Sequence, residues 1–342
     1  LAYPFSYALG ISDDAPFVTD DFIYKTDGFA DSREYAAFGE LTYDFGERLS
    51  ITAGGRVYKT KTSSASDADG FANGGPSHAE GEQSENGFNP KVLVEAVLSD
   101  NVNMYATAAK GYRIGGSNGN ISATLCGDEL DALGVSAADV KTYNSDSLWS
   151  YEAGLKSATS DNRLKINGAV YMIKWNNIQQ LNRLGCGFQY TANAGKAESK
   201  GFEIEVSAVP FKGLTLDLGA GYANAEVTDA GGVAGVSVGD KIQGVPNWTF
   251  SGSGEYAFAW NENTDGFFRA DLNYYGRSYS SNNESSAATQ RLRPSWTGLN
   301  LRLGVLKEKW ELTFFVDNVT DTRANLADNR SIAAEKATRP RL

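Results

Sequence analysis

Apolar and polar residues alternate along most of this chain. Within 201–208 the even positions are Phe202, Ile204, Val206 and Ala208, and the odd ones are Gly201, Glu203, Glu205 and Ser207. Successive side chains of a β-strand point to opposite faces, so such a segment has one greasy face and one wet face. The alternation recurs with Leu164, Ile166, Gly168 and Val170, with Leu214, Leu216, Leu218, Ala220 and Tyr222, with Phe268, Ala270, Leu272 and Tyr274, and with Trp310, Leu312, Phe314 and Val316. Their odd-numbered neighbours include Lys165, Asp217, Arg269, Asp271 and Glu311. A one-residue slip would turn these charges onto the apolar face, so the pairing register is tightly specified.

Strands are predicted at 34–45, 49–62, 88–98, 103–114, 148–158, 163–178, 194–209, 214–228, 247–260, 266–280, 295–306 and 310–321. With one or two more from 1–30 the total is about 12 to 14. Short connections (45–48, 99–102, 159–162, 210–213, 261–265, 307–309) alternate strictly with long ones (63–87, 115–147, 179–193, 229–246, 281–294). A soluble β-sandwich also alternates in polarity, but its strands average only ~5–6 residues and its loops have no reason to alternate in length. The pattern is that of an all-β, antiparallel transmembrane β-barrel, with short periplasmic turns and long extracellular loops. A Lys or Arg on its lipid face costs ~2–4 kcal/mol at the midplane, which explains the clean alternation.

Composition narrows the function. The net charge is -11, which argues against a nucleic-acid partner. The single histidine, His78, sits in a polar stretch, so neither a Ser/His/Asp site nor a histidine metal cluster can be assembled and no enzyme is expected. The run 66–70 hints at a calcium loop, but the twelfth position from Asp67 is His78 rather than a glutamate. Gly74-Gly75 and Gly231-Gly232 lack the Lys-Ser/Thr of a phosphate loop. No cofactor or bound metal is expected. The chain opens at Leu1 without the basic start of a secretory signal, which reads as a partial chain.

Specific words then appear in order. They are Asn89-Pro90-Lys91, Met104-Tyr105-Ala106-Thr107 leading to 111–118, Trp149-Ser150-Tyr151-Glu152-Ala153-Gly154-Leu155-Lys156, the stretch 193–203, and Val316-Asp317-Asn318-Val319-Thr320-Asp321. This series resembles the barrel of TonB-dependent outer-membrane receptors from about residue 34 onward. The resemblance implies location in the outer membrane of a Gram-negative bacterium. It also implies active uptake of a bulky, scarce nutrient, with a ferric siderophore foremost, driven by TonB through a plug domain. Such barrels have about 22 strands around a plugged lumen. Residues 1–342 are therefore expected to be one partial barrel domain, without plug or final strand, that does not transport alone. Each unsatisfied backbone group in lipid costs several kcal/mol, so open edges need completion. A passive porin is the alternative.

Partners expected from this reading are outer-membrane lipid and lipopolysaccharide, TonB by way of the plug, and the nutrient. Cys126 and Cys186 fall on consecutive long loops of one side in an oxidising compartment, and a disulfide between them is expected, with free thiols as the alternative. Arg113, Trp175, Arg183, Tyr190 and Arg277 lie near the loop ends of strands and are candidate ligands for an anionic, planar iron chelate. Aromatic girdling, salt bridging and lipopolysaccharide contact are the alternative roles.

Overall fold

The structure, a computed structural model, describes residues 23–231, 236–279 and 292–326, apart from the side chains of Phe71 and Arg183. The long strands are β1 (Lys25–Asp44), β2 (Leu49–Asp69), β3 (Ser77–Ser99) and β4 (Val102–Arg113). After the short β5 (Gly116–Ser117) and β6 (Thr142–Tyr143) come β7 (Asp146–Ala158) and β8 (Leu164–Asn176). The short β9 (Gln179–Arg183) and β10 (Gln189–Asn193) precede β11 (Lys196–Ala208), β12 (Leu214–Asp229), β13 (Trp248–Asn261) and β14 (Thr264–Tyr275). The short β15 (Ser278–Tyr279) and β16 (Leu292–Arg293) precede β17 (Trp296–Lys307) and β18 (Trp310–Val316). The long strands form one 12-stranded sheet in chain order, and the short ones pair as three small ribbons. Neighbours throughout the large sheet are antiparallel. Among the described residues β1 and β18 are its edges, and the sheet is not closed.

Register separates two faces. Phe202 lies opposite Tyr222, Tyr222 opposite Trp248, and Phe250 opposite Tyr274. Their rings form a continuous belt, with centroids 4.9 Å apart for Tyr222–Trp248 and 5.7 Å for Phe250–Tyr274. Ile204, Leu218 and Val170 on the same face are 43%, 53% and 59% exposed, so no protein covers it. The other, inner face holds the charges. Arg269 sits between Glu255 (3.5 Å) and Asp271 (2.6 Å), Lys91 reaches Glu40 at 3.0 Å, and Asn167 donates to Glu205 at 3.4 Å.

Several inner-face rings cover a glycine directly across the ladder: Tyr58 over Gly87, Tyr105 over Gly154, Tyr171 over Gly201 and Phe267 over Gly304. A Cβ on Gly154 would stand 2.5 Å from the Tyr105 ring, and one on Gly304 2.0 Å from Phe267. The missing side chain makes the room for the ring.

The outer segments differ from expectation in several places: β1 begins at Lys25 rather than 34, the expected loop 179–193 carries the β9–β10 pair, and two longer loops are rebuilt. The expected loop 63–87 is mostly strand, because β2 and β3 stay paired up to Ala68↔Ser77. Its Ser63-Ser64-Ala65-Ser66-Asp67 run carries no apolar alternation, but it continues the expected strand 49–62, and Lys61–Glu82 adds a cross-strand ion pair at 2.9 Å. The would-be calcium segment lies at the end of this hairpin, where Asp67 bonds His78 Nδ1 at 2.8 Å. The expected loop 115–147 contains a helix, α1 (Ala123–Ala132). Ladder pairing between β3 and β4 stops at Lys91↔Ala109, beside Pro90, which has no N–H to donate. Beyond that point Tyr112 packs on Tyr58, rings 3.7 Å apart, and donates to Glu34 at 3.0 Å.

Candidate functional site

The two loops on either side of the β7–β8 hairpin fold together. Helix α1 places Cys126 and Leu130 four residues apart on one face, both buried. They pack with Ile121, Val140, Leu184 and Tyr190 into a core separate from the barrel wall. The helix ends where Gly134 takes φ +72°, with Gly134 N–H bonded to Asp131 O and Val135 N–H to Leu130 O. That is the Schellman arrangement, which satisfies the last carbonyls.

Four polar links cross from one loop to the other. Glu129 accepts the N–H groups of Gly185 (2.8 Å) and Cys186 (3.2 Å). Asn118 accepts from Thr191 N (2.7 Å) and donates to Thr191 O (2.8 Å), imitating a strand neighbour. Asn193 does the same for Asn144, and Gln179 donates to Ile114 O and Asn144 O. Cys126 and Cys186 are joined in a disulfide, Cα atoms 5.5 Å apart. Sequence reasoning singled out none of Asn118, Glu129, Asp146, Gln179 or Asn193. Asn and Gln in a loop are ordinary, and only the fold shows that their amides stand in for ladder partners.

The candidate ligands scatter. Arg113 is not a free cation: its Nη2 and Nε lie 2.5 and 3.2 Å from Asp146 Oδ2, and Asp146 is 2% exposed. Gln179 N–H adds a third bond to the same oxygen. The Arg113 guanidinium also lies 5.3 Å from the Trp175 ring. Tyr190 is buried inside the loop core, where burial and then the nearby Glu129 push its phenol up from the ordinary value. Its place in the core argues against a ligand-facing role. Arg183 belongs to β9, opposite Gln189, and its side chain lies outside the described residues. Arg277 is exposed after β14.

Trp175 is placed differently. It lines a cavity of about 740 Å³ on the inner face, within the usual size range of small-molecule sites. Side chains of β4, β7, β8, β11 and β12 make the wall. Ile242 and Val245 of the β12–β13 connection complete it, held by the bond from Ile242 N–H to Ala225 O.

Known proteins share this architecture. A profile described as TonB dependent receptor-like, beta-barrel matches residues 3–319. The metal-pseudopaline receptor CntO of Pseudomonas aeruginosa is 27% identical over 197 residues, which are 57% of this chain and 24% of that protein. The pesticin receptor of Yersinia enterocolitica is 23% identical over 202 residues, 59% of this chain and 27% of that one. Among solved structures, the ferric yersiniabactin uptake receptor FyuA from Yersinia pestis superposes with a TM-score of 0.73 at 18% identity, covering 90% of this chain and 44% of that one, a likeness of fold. The chain thus spans well under half the length of the relatives it matches.

Proposed function

Because this chain belongs to the TonB-dependent receptor β-barrel family, whose barrels sit in the outer membrane, we propose that it serves in an active receptor for a metal-loaded siderophore. The observation that carries the reading is the family match, which runs from the first described strand past the last. Matched proteins named as receptors for metal-pseudopaline, pesticin and ferric yersiniabactin support it, and a passive porin gains no support from them. The relatives are receptors, so we read the chain as a binding and transport protein rather than an enzyme. The inner-face cavity supplies the capture surface. TonB-dependent receptors interact with TonB, and in this reading energy from TonB acts through a plug, the barrel serving as its housing. Lipopolysaccharide is proposed to meet the aromatic, protein-free face.

The test is uptake. The complete reading frame that contains these residues is expressed in a receptor-deleted Gram-negative strain, and accumulation of radiolabelled iron chelates is followed with and without TonB. Accumulation that needs TonB is expected. Entry that is equal without TonB would establish a diffusion channel instead.

A further inference from the structure

The 740 Å³ cavity has two chemically distinct walls. Toward the loops it is largely apolar and aromatic: Tyr171, Ile173 and Trp175 follow one another on the inner face of β8, with Leu148 on β7 and with Ile242 and Val245 completing the lining, and Glu198 is the carboxylate at that end. Away from the loops it is acidic, with Glu152, Glu203 and Glu205. Among the described residues that line it, Lys156 is the one cation. That ammonium lies 5.3 Å from the Tyr105 ring, and the Tyr105 hydroxyl donates to Glu152 at 2.5 Å. The Arg113 guanidinium, 5.3 Å from the Trp175 ring, is already bound to the buried Asp146.

Flat rings stack on aromatic side chains in apolar surroundings, and a low-dielectric wall lined by one sign of charge repels ions of that sign. Resting on the receptor reading above, we infer that this cavity selects an uncharged or cationic metal chelate that carries an aromatic arm. The arm lies along Tyr171, Ile173 and Trp175, and the carboxylates below exclude trianionic chelates.

The experiment uses the complete receptor, purified with every domain its reading frame encodes, and measures equilibrium retention of radiolabelled iron. Three probes separate the terms: an uncharged ferric chelate with a phenolate ring, an uncharged aliphatic ferric tris-hydroxamate, and a trianionic ferric tris-catecholate. The first is expected to bind at least tenfold tighter than either of the others. Equal binding of the aliphatic probe overturns the aromatic arm, and equal or tighter binding of the trianion overturns the charge selection. Binding of none of the three, in protein that is folded by its heat-dependent gel mobility, overturns the siderophore reading itself. Trp175→Ala is expected to lose tenfold for the aromatic probe and Trp175→Phe to recover most of it. Since Trp175 also supports Arg113, a gain is needed as well. Ser199→Lys places a cation on the cavity wall and is expected to raise affinity for the trianion at least fivefold. Absence of that gain overturns the charge selection.

Discussion

Removing the Cys126–Cys186 bridge tests whether the two outer loops are one folded body. The bonded residues are 60 apart in sequence, and the loop-entropy relation gives roughly 4.3 kcal/mol for a closed loop of that length. The intact barrel shortens the relevant loop, because Arg113 and Asn176 are both fixed in the sheet. Only the stretches 114–125 and 177–185 then stay free, about 23 residues with the cysteines, and the same relation gives roughly 3.4 kcal/mol. The buried Leu130, Leu184 and Tyr190 and the Glu129 clamp remain when sulfur is removed. Cys126→Ala/Cys186→Ala is therefore expected to leave the module folded but opening some two orders of magnitude more often. Amide hydrogen exchange read by mass spectrometry on the complete receptor measures this directly. Peptides from 118–135 and 179–193 should exchange roughly 100- to 300-fold faster, the figure that 3.4 kcal/mol implies, while barrel peptides keep their rates. Unchanged exchange in both loops would refute the reasoning, and so would equal acceleration in the barrel.

Other outcomes follow from the same contacts. Glu129→Gln replaces a two-oxygen acceptor with one, and faster exchange of the Gly185 or Cys186 amide by about tenfold is expected, a net cost of ~1–2 kcal/mol for a charged hydrogen bond. Arg113→Ala leaves the Asp146 carboxylate without its half-exposed cation and should destabilise the β4–β7–β9 junction by ~1–3 kcal/mol, seen as lost protection at Gln179, with Arg113→Ala/Asp146→Asn recovering part. Arg277→Ala, at an exposed position, should leave that protection unchanged. The raised phenol of Tyr190 stabilises the module fully below the unfolded tyrosine value of about 10 and less as pH rises through and beyond it. Loop exchange should therefore accelerate above about pH 10, and Tyr190→Phe should remove that alkaline limb. Gly154→Leu would drive a side chain into the Tyr105 ring and should lower the yield of heat-modifiable barrel, whereas Gly154→Leu/Tyr105→Ala should restore it.

Strand order and faces were legible because the membrane punishes error: a charge at Asp217 or Arg269 can occupy only one side of the sheet. Where both surroundings are water, that constraint disappears. The outer halves of β2 and β3 are polar on both faces, so they read as loop, and pairing, not amphipathicity, keeps them straight. Helix α1 was hidden for a different reason. It is ten residues long, with Cys126 and Leu130 as its buried pair, too short to show a helical period against the surrounding polar sequence. Location on neighbouring loops pointed to the cysteines, but the same logic cannot separate a core from a ligand-facing place for Tyr190. A tyrosine near a strand end can face ligand or core, and only the packing of Leu130 and Leu184 around it decides.

The rings laid over Gly87, Gly154, Gly201 and Gly304 bear on movement rather than stability. An aromatic side chain standing off a barrel wall is an obstacle to anything travelling parallel to the strands. One lowered onto a glycine leaves little relief, while its hydroxyl, as with Tyr105 and Glu152, stays engaged with the wall instead of catching on the passenger. If the chain serves in uptake as proposed, its interior must let a bulky cargo slide past after holding it, and a wall smoothed in this way would ease the second task. In the proposed receptor, grip would belong to Ile173 and Trp175 near the loops, and low friction to the glycine-backed rings below them, Tyr171 over Gly201 included.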